Sequence, residues 1–229
     1  MKVNGKKTQL VCISASNEAS VFSYIGTKDS RIESKDCLKI LGFWFGCKPG
    51  VGKQVEVMQA KFRSRLWMLC RLKKYGMKTC DLLFIYKSVI RPVLDFCVVT
   101  YHSMLTDVQS EQLERLQKCA FRLIYGQDTC YDDALSISDT DRLDVRRKKQ
   151  LEKFTVKASN NPRFKDKWFP RNDNIYTDHL RTRQKYKELR YRTNRLGVSP
   201  LFEMRRILNR LENESWETNI SNEWEKWAD

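Results

Sequence analysis

The chain has 229 residues, 41% of them hydrophobic, and a formal charge of +15 with a pI of about 9.5. That is enough apolar material for one large domain or two small ones, and enough positive charge to point to a polyanionic partner, nucleic acid before an anionic membrane. No bilayer-spanning helix is expected, because Lys87, Arg91 and Asp95 interrupt the best apolar run, and no secretory leader, because Lys2, Asn4, Lys6 and Lys7 leave no apolar core at the start.

In chain order, Gln9 to Ser14 reads as a strand between turn signals at Asn4-Gly5 and Ser16-Asn17. Ser20 to Ile25 and Arg31 to Glu33 are weaker strand candidates around a polar turn at Lys28-Asp29-Ser30. Cys37 to Phe45 is a firmer strand interrupted by Gly42, which suggests a bulge or a close backbone approach. Pro49, Gly50 and Gly52 form the joint into the first helix. So few strands resemble the edge of a larger sheet.

Three helices come next. Val55, Met58, Phe62, Leu66, Leu69 and Leu72 fall on one face of a 3.6-residue helix, with Arg71, Lys73 and Lys74 near its end and Gly76 to close it. The second, Thr79 to Tyr101, is apolar on most sides and should be buried; Pro92 predicts a kink, or two helices meeting near Arg91. The third follows Thr106-Asp107 as cap, carries the stripe Leu113, Leu116, Ala120 and Leu123, and ends at Gly126. Glu111–Arg115 and Glu114–Lys118 are spaced as i,i+4 ion pairs.

The second half is basic. A helix capped by Ser138, Asp139 or Thr140 would set Leu143, Arg147, Leu151, Phe154 and Ala158 on one face and stop at Asn160-Asn161-Pro162. Between Arg142 and Arg195 stand 18 Lys or Arg against 6 Asp or Glu, a net +12 of the +15 total. Phe164, Trp168, Phe169, Tyr176, Tyr186 and Tyr191 interleave these cations, a pattern suited to phosphate contact and base stacking, or to a solvated face followed by a loose linker near 162–180. Ser199-Pro200 starts a last helix with the stripe Leu201, Met204, Ile207, Leu208 and Leu211, running into an acidic tail with Trp216, Trp224 and Trp227. The eight cysteines form no CxxC pair and only two histidines accompany them, so reduced core thiols are expected rather than a zinc module.

Several of these stretches carry a family resemblance. Lys2-Val3-Asn4-Gly5-Lys6-Lys7-Thr8-Gln9-Leu10 resembles motif D of the reverse transcriptases of non-LTR retrotransposons, and Lys39-Ile40-Leu41-Gly42-Phe43 resembles the Leu-Gly hairpin called the primer grip. Arg65 to Leu72, Tyr86 to Phe96 and Leu113 to Lys118 look like the family's thumb and the helices after it. Tyr131 to Leu135, Arg142 to Lys148, Arg183 to Tyr186 and Ser199-Pro200 continue the series in one collinear order.

The resemblance implies an α+β chain: a small strand-rich palm remnant over 1–50, a thumb-like helical bundle over 51–128, and a basic helical carboxy-terminal region over 129–229. It implies the C-terminal fragment of an RNA-directed DNA polymerase, with the upstream palm and fingers as its missing partners. The catalytic aspartates and their Mg²⁺ would belong to the full-length enzyme, leaving this chain inactive alone and without metal or other cofactor. Lys7 matches the motif D lysine that would protonate the departing pyrophosphate. Leu41, Gly42 and Phe43 would hold the primer terminus. Lys61, Arg63, Arg65, Arg71, Lys73 and Lys74, with Arg146, Arg147, Lys148 and Lys149, would follow the phosphates of RNA, DNA or an RNA–DNA duplex. Such a protein would act in the nucleus or cytoplasm and not be secreted.

Tyr131-Asp132-Asp133 superficially resembles the Tyr/Phe-x-Asp-Asp box of polymerases, but it lacks the intervening residue and comes after the motif D match; the acidic first turn of a short helix is expected there. Two other classes stay open: a non-catalytic nucleic-acid-binding protein derived from such an element, and a helical interaction protein whose basic face keeps it soluble.

Overall fold

The computed structural model describes residues 8–11, 24–27, 30–46, 50–172, 185–188 and 197–227, without the side chains of Thr27, Ser30 and 215–227. Lys7, residues 12–14 of the first expected strand, and the side chains of Trp216, Trp224 and Trp227 lie outside the described set. The fold is α+β, with strands first and helices after, in two compact units. The first takes Met1–Cys97 and Leu105–Asp144, the second Val98–Met104 and Val145–Asp229. Strands and the helices that follow them thus share the first unit, which extends to Asp144.

In the first unit, strands β1 (Tyr24–Thr27) and β2 (Ser30–Glu33) make one antiparallel pair, β3 (Cys37–Ile40) and β4 (Phe43–Gly46) another. Leu10 bridges in parallel to Ser34. The expected single strand from Cys37 to Phe45 is therefore a hairpin, with Leu41-Gly42 as its turn. A two-stranded hairpin is marginal alone; here β4 is held on α1 (Gly52–Lys74), where the Trp44 amide donates to the buried Gln54 Oε1 at 3.2 Å. α1 buries Val55, Met58, Phe62 and Leu69, as its periodicity requires.

The long second helix is broken. α2 (Thr79–Ile85) passes into a π turn over Tyr86–Ile90, where the Arg91 amide donates to the Tyr86 carbonyl at 2.8 Å, and α3 (Pro92–Asp95) begins at the proline. Pro92 has no amide to offer Ser88 and its ring would strike that carbonyl in a regular helix, so the turn before it widens. Cys97, with φ +57, ends the run. α5 (Asp107–Tyr125), preceded in the second unit by α4 (Val98–Tyr101), opens with a full capping box: the Gln109 amide donates to Thr106 Oγ1 and the Thr106 amide to Gln109 Oε1. α6 (Tyr131–Ser138) is the next helix of the first unit.

The helix expected from Ser138 begins only at Leu143, because Asp139 takes a left-handed conformation that ends α6. α7 (Leu143–Ser159) buries Leu143, Arg147, Leu151 and Ala158, with Thr155 in the stripe in place of the partly exposed Phe154. In the second unit, Asn161 caps α8 (Pro162–Trp168) by accepting from the Arg163 amide at 3.0 Å, so the first part of the expected linker is helical. Residues 173–180 of that linker are not described. Arg171 pairs with Tyr186, and α9 (Pro200–Trp227) starts where Ser199-Pro200 predicts. Leu151, Ala158, Phe169, Met204, Ile207 and Leu208 form the core, with Val99, Trp168, Tyr186 and Leu211 against it.

Buried Arg205 donates from Nε to the Trp168 carbonyl at 2.8 Å and from Nη1 to the Lys187 carbonyl at 3.0 Å. Asn209 accepts from the Tyr186 amide at 2.9 Å and donates to the Tyr186 carbonyl at 3.2 Å, pairing with that residue as a neighbouring strand would. The described cysteines are free, but Cys80, Cys119 and Cys130 are exposed and Cys37, Cys70 and Cys97 half-buried, so none is the fully buried core thiol expected.

Candidate nucleic-acid interface

The β3–β4 hairpin places the first group of residues. Ile40 opposes Phe43, and both turn residues have positive φ, +49 at Leu41 and +89 at Gly42. A two-residue hairpin loop takes this geometry because it matches the twist of the strands. Glycine adopts it freely; leucine does so at a cost on the order of 1 kcal/mol. Leu41 projects into solvent, 96% exposed. A Cβ on Gly42 would come within 3.2 Å of the Phe96 ring, so this backbone packs closely on that side chain. Phe43 is buried and packs on Phe45 at 4.8 Å between ring centres, so it anchors the hairpin and is not presented to a ligand.

Beside the turn lies a groove of about 260 Å³. The hairpin contributes Lys39 and Gly42, α1 contributes Lys61 and Arg65, and Pro92, Val93 and Phe96 close the other side. Three cations and no carboxylate line it, so its potential is positive. Lys61 and Arg65 come together because a step of four is one helical turn. Arg65 also donates to the Val89 carbonyl in the π turn. Lys39 was missed in the sequence: it stands opposite Trp44 in the hairpin, its ammonium 5.8 Å from the indole centre.

The other α1 cations do not share the groove. Lys73 donates to the Leu123 carbonyl at 2.5 Å, tying it to the last turn of α5. Arg71 lies over the Trp67 ring at 5.2 Å, and Arg63 and Lys74 are exposed. Arg146, Arg147, Lys148 and Lys149 belong to the second unit; Lys148 and Lys149 are exposed and Arg146 half-buried. Arg147 is 2% exposed, so the sequence-based assignment of this residue to phosphate contact does not hold.

Asp132 and Asp133 occupy the first turn of α6 and are exposed. Adjacent residues on a helix diverge by about 100°, and among the described residues no three His, Cys, Asp or Glu side chains gather as a metal site. These residues do not fit a two-metal centre. Tyr131 instead joins a buried network. Its hydroxyl donates to Glu114 Oε1 at 2.5 Å and accepts from Gln117 Nε2 at 2.9 Å, while Gln117 Oε1 accepts from the Tyr86 hydroxyl at 2.7 Å. Glu114 Oε2 accepts from the Leu143 amide at 3.0 Å. Burial and the adjoining Glu114 carboxylate push the Tyr131 phenol well above its usual range. Glu114 is thus a core residue rather than half of a surface pair with Lys118, whose ammonium lies over the Tyr131 ring at 5.2 Å. Glu111–Arg115 does form, at 2.8 Å.

Among the described residues, no helix is long and apolar enough to cross a membrane. In comparisons with known proteins, no family model, no curated protein and no solved structure matches the chain.

Proposed function

We propose that the chain grips template–primer nucleic acid through its phosphates, as the C-terminal part of a reverse transcriptase of the non-LTR retrotransposon kind, without supplying the metal-holding aspartates. The groove carries this reading: Lys39, Lys61 and Arg65 line it beside the Leu41-Gly42 turn, with no carboxylate among its lining residues. That combination suits a strand terminus held through its phosphates, with duplex shape and not base sequence recognised. The run from Val57 to Cys80, with seven Lys or Arg and no Asp or Glu, supports it. On this reading the partners are RNA, DNA or their hybrid together with the palm and fingers of the parent polymerase. The Mg²⁺ ions are that polymerase's own, and the setting is the nucleus or cytoplasm.

The test is binding of the full chain to a blunt RNA–DNA duplex over a salt series. Affinity should fall with a log–log slope of roughly −0.7 to −0.9 per phosphate contact, and Lys61→Ala should reduce the slope by about 1. Absence of binding at low salt overturns the proposal.

A further inference from the structure

The groove uses one flank of α1, and the side of that helix turned from the core carries a different set of groups. Arg63, Trp67, Arg71 and Lys74 succeed one another at steps of four, four and three, which sets them in one row. The row stands away from Val55, Met58, Phe62 and Leu69, the residues α1 buries. Trp67 is 65% exposed, with Arg71 over its ring. Tyr75, just past the end of the helix, is 82% exposed. It comes eight residues after Trp67, which is about 12 Å of helix rise.

Exposed rings between cations, on a stretch with no acid to neutralise them, have a specific chemistry. The cations attract phosphates and the rings offer flat faces to bases. A closed duplex keeps its base faces stacked inside, so it could use the cations but not the rings. An acidic polypeptide would likewise need the charges alone. We infer that the outer face of α1 is a stacking platform for an unpaired nucleic-acid strand, with Trp67 and Tyr75 against bases and Arg63, Arg71 and Lys74 against phosphates. This rests on the proposed binding of nucleic acid and assigns it a second surface, separate from the groove at Lys39, Lys61 and Arg65.

Fluorescence anisotropy with the full chain and two labelled probes, a short oligothymidylate and a blunt RNA–DNA duplex, tests it. Trp67→Ala should weaken oligothymidylate binding about tenfold, the loss of one stacked base, and leave duplex binding within about twofold. Trp67→Phe should restore most of the loss, and an unchanged circular dichroism melt should accompany both, since the side chain is mostly in solvent. Equal weakening of both probes, wild-type binding of oligothymidylate by W67A, or a wild-type chain that binds duplex but not oligothymidylate overturns the inference alone. Displacement of oligothymidylate by polyglutamate, equal for W67A and wild type, overturns it in favour of an acidic protein partner. If neither probe binds at low salt, the proposed function fails and this inference with it.

Discussion

Each unit buries charged or amide side chains, and the two use them differently. In the first, Tyr86, Gln117, Tyr131 and Glu114 bond to one another and to the Leu143 amide and the Asp141 carbonyl, while Gln54 holds the Trp44 amide. In the second, Arg205 and Asn209 reach backbone groups of Trp168, Tyr186 and Lys187. A network of side chains depends on their protonation; clamps on backbone do not, because amides and carbonyls do not titrate. The first unit therefore contains a side-chain network sensitive to alkali, and the second relies on clamps that tie non-helical chain to a helix at any ordinary pH.

The contrast can be broken most severely at Glu114. Glu114→Ala leaves the Tyr131 hydroxyl and the Leu143 amide buried without their charged acceptor, and should cost about 3 kcal/mol. Hydrogen exchange should show the loss in α5 and α6, while Glu111→Gln, on the exposed side of the same helix, should leave exchange there unchanged. Arg205→Met retains the packing but frees two carbonyls, and should cost about 2 kcal/mol, with faster exchange confined to 185–188 and α8. The smallest change sharpens the comparison. Tyr131→Phe should cost about 1 kcal/mol at neutral pH.

Tyr131 also sets a pH dependence. Its folded-state phenol binds its proton more tightly than an unfolded one. That contribution is complete below the ordinary tyrosine value near 10 and is lost as pH rises through the higher folded value. Urea midpoints should accordingly fall more steeply above pH of about 10 in the wild type than in Y131F.

The helices were legible where one face repeats. α1 and α5 need only their own stripe and their own ends, with Thr106 and Gly126 marking α5. The hairpin was implied by the Leu-Gly resemblance but not by residue pattern, which offers one strand interrupted at Gly42, because Leu41 is an unfavourable residue for a turn with positive φ. α8 spans too few residues to display a period, although Asn161-Pro162 is a cap followed by the proline suited to a first helical position. Glu114 looks like a surface charge in sequence; the partners that bury it lie 17 and 29 residues away. At the candidate interface, Lys61 and Arg65 were expected only as two of the six cations that the thumb resemblance implied for this helix. Lys39 joins them only through the fold of the hairpin, and Trp67 is detectable as the large ring that falls off the apolar stripe of α1.

Arg65 bears a consequence for substitution. Its guanidinium reaches the carbonyl of Val89 at the widened turn ahead of Pro92, and it also lines the groove. With five N–H donors in a planar fork, it can keep that tether and still present a free edge to an anion. A lysine has three donors on one nitrogen and no second edge. Exchange of the two, neutral in formal charge, would force a choice between bracing the broken helix and holding a ligand.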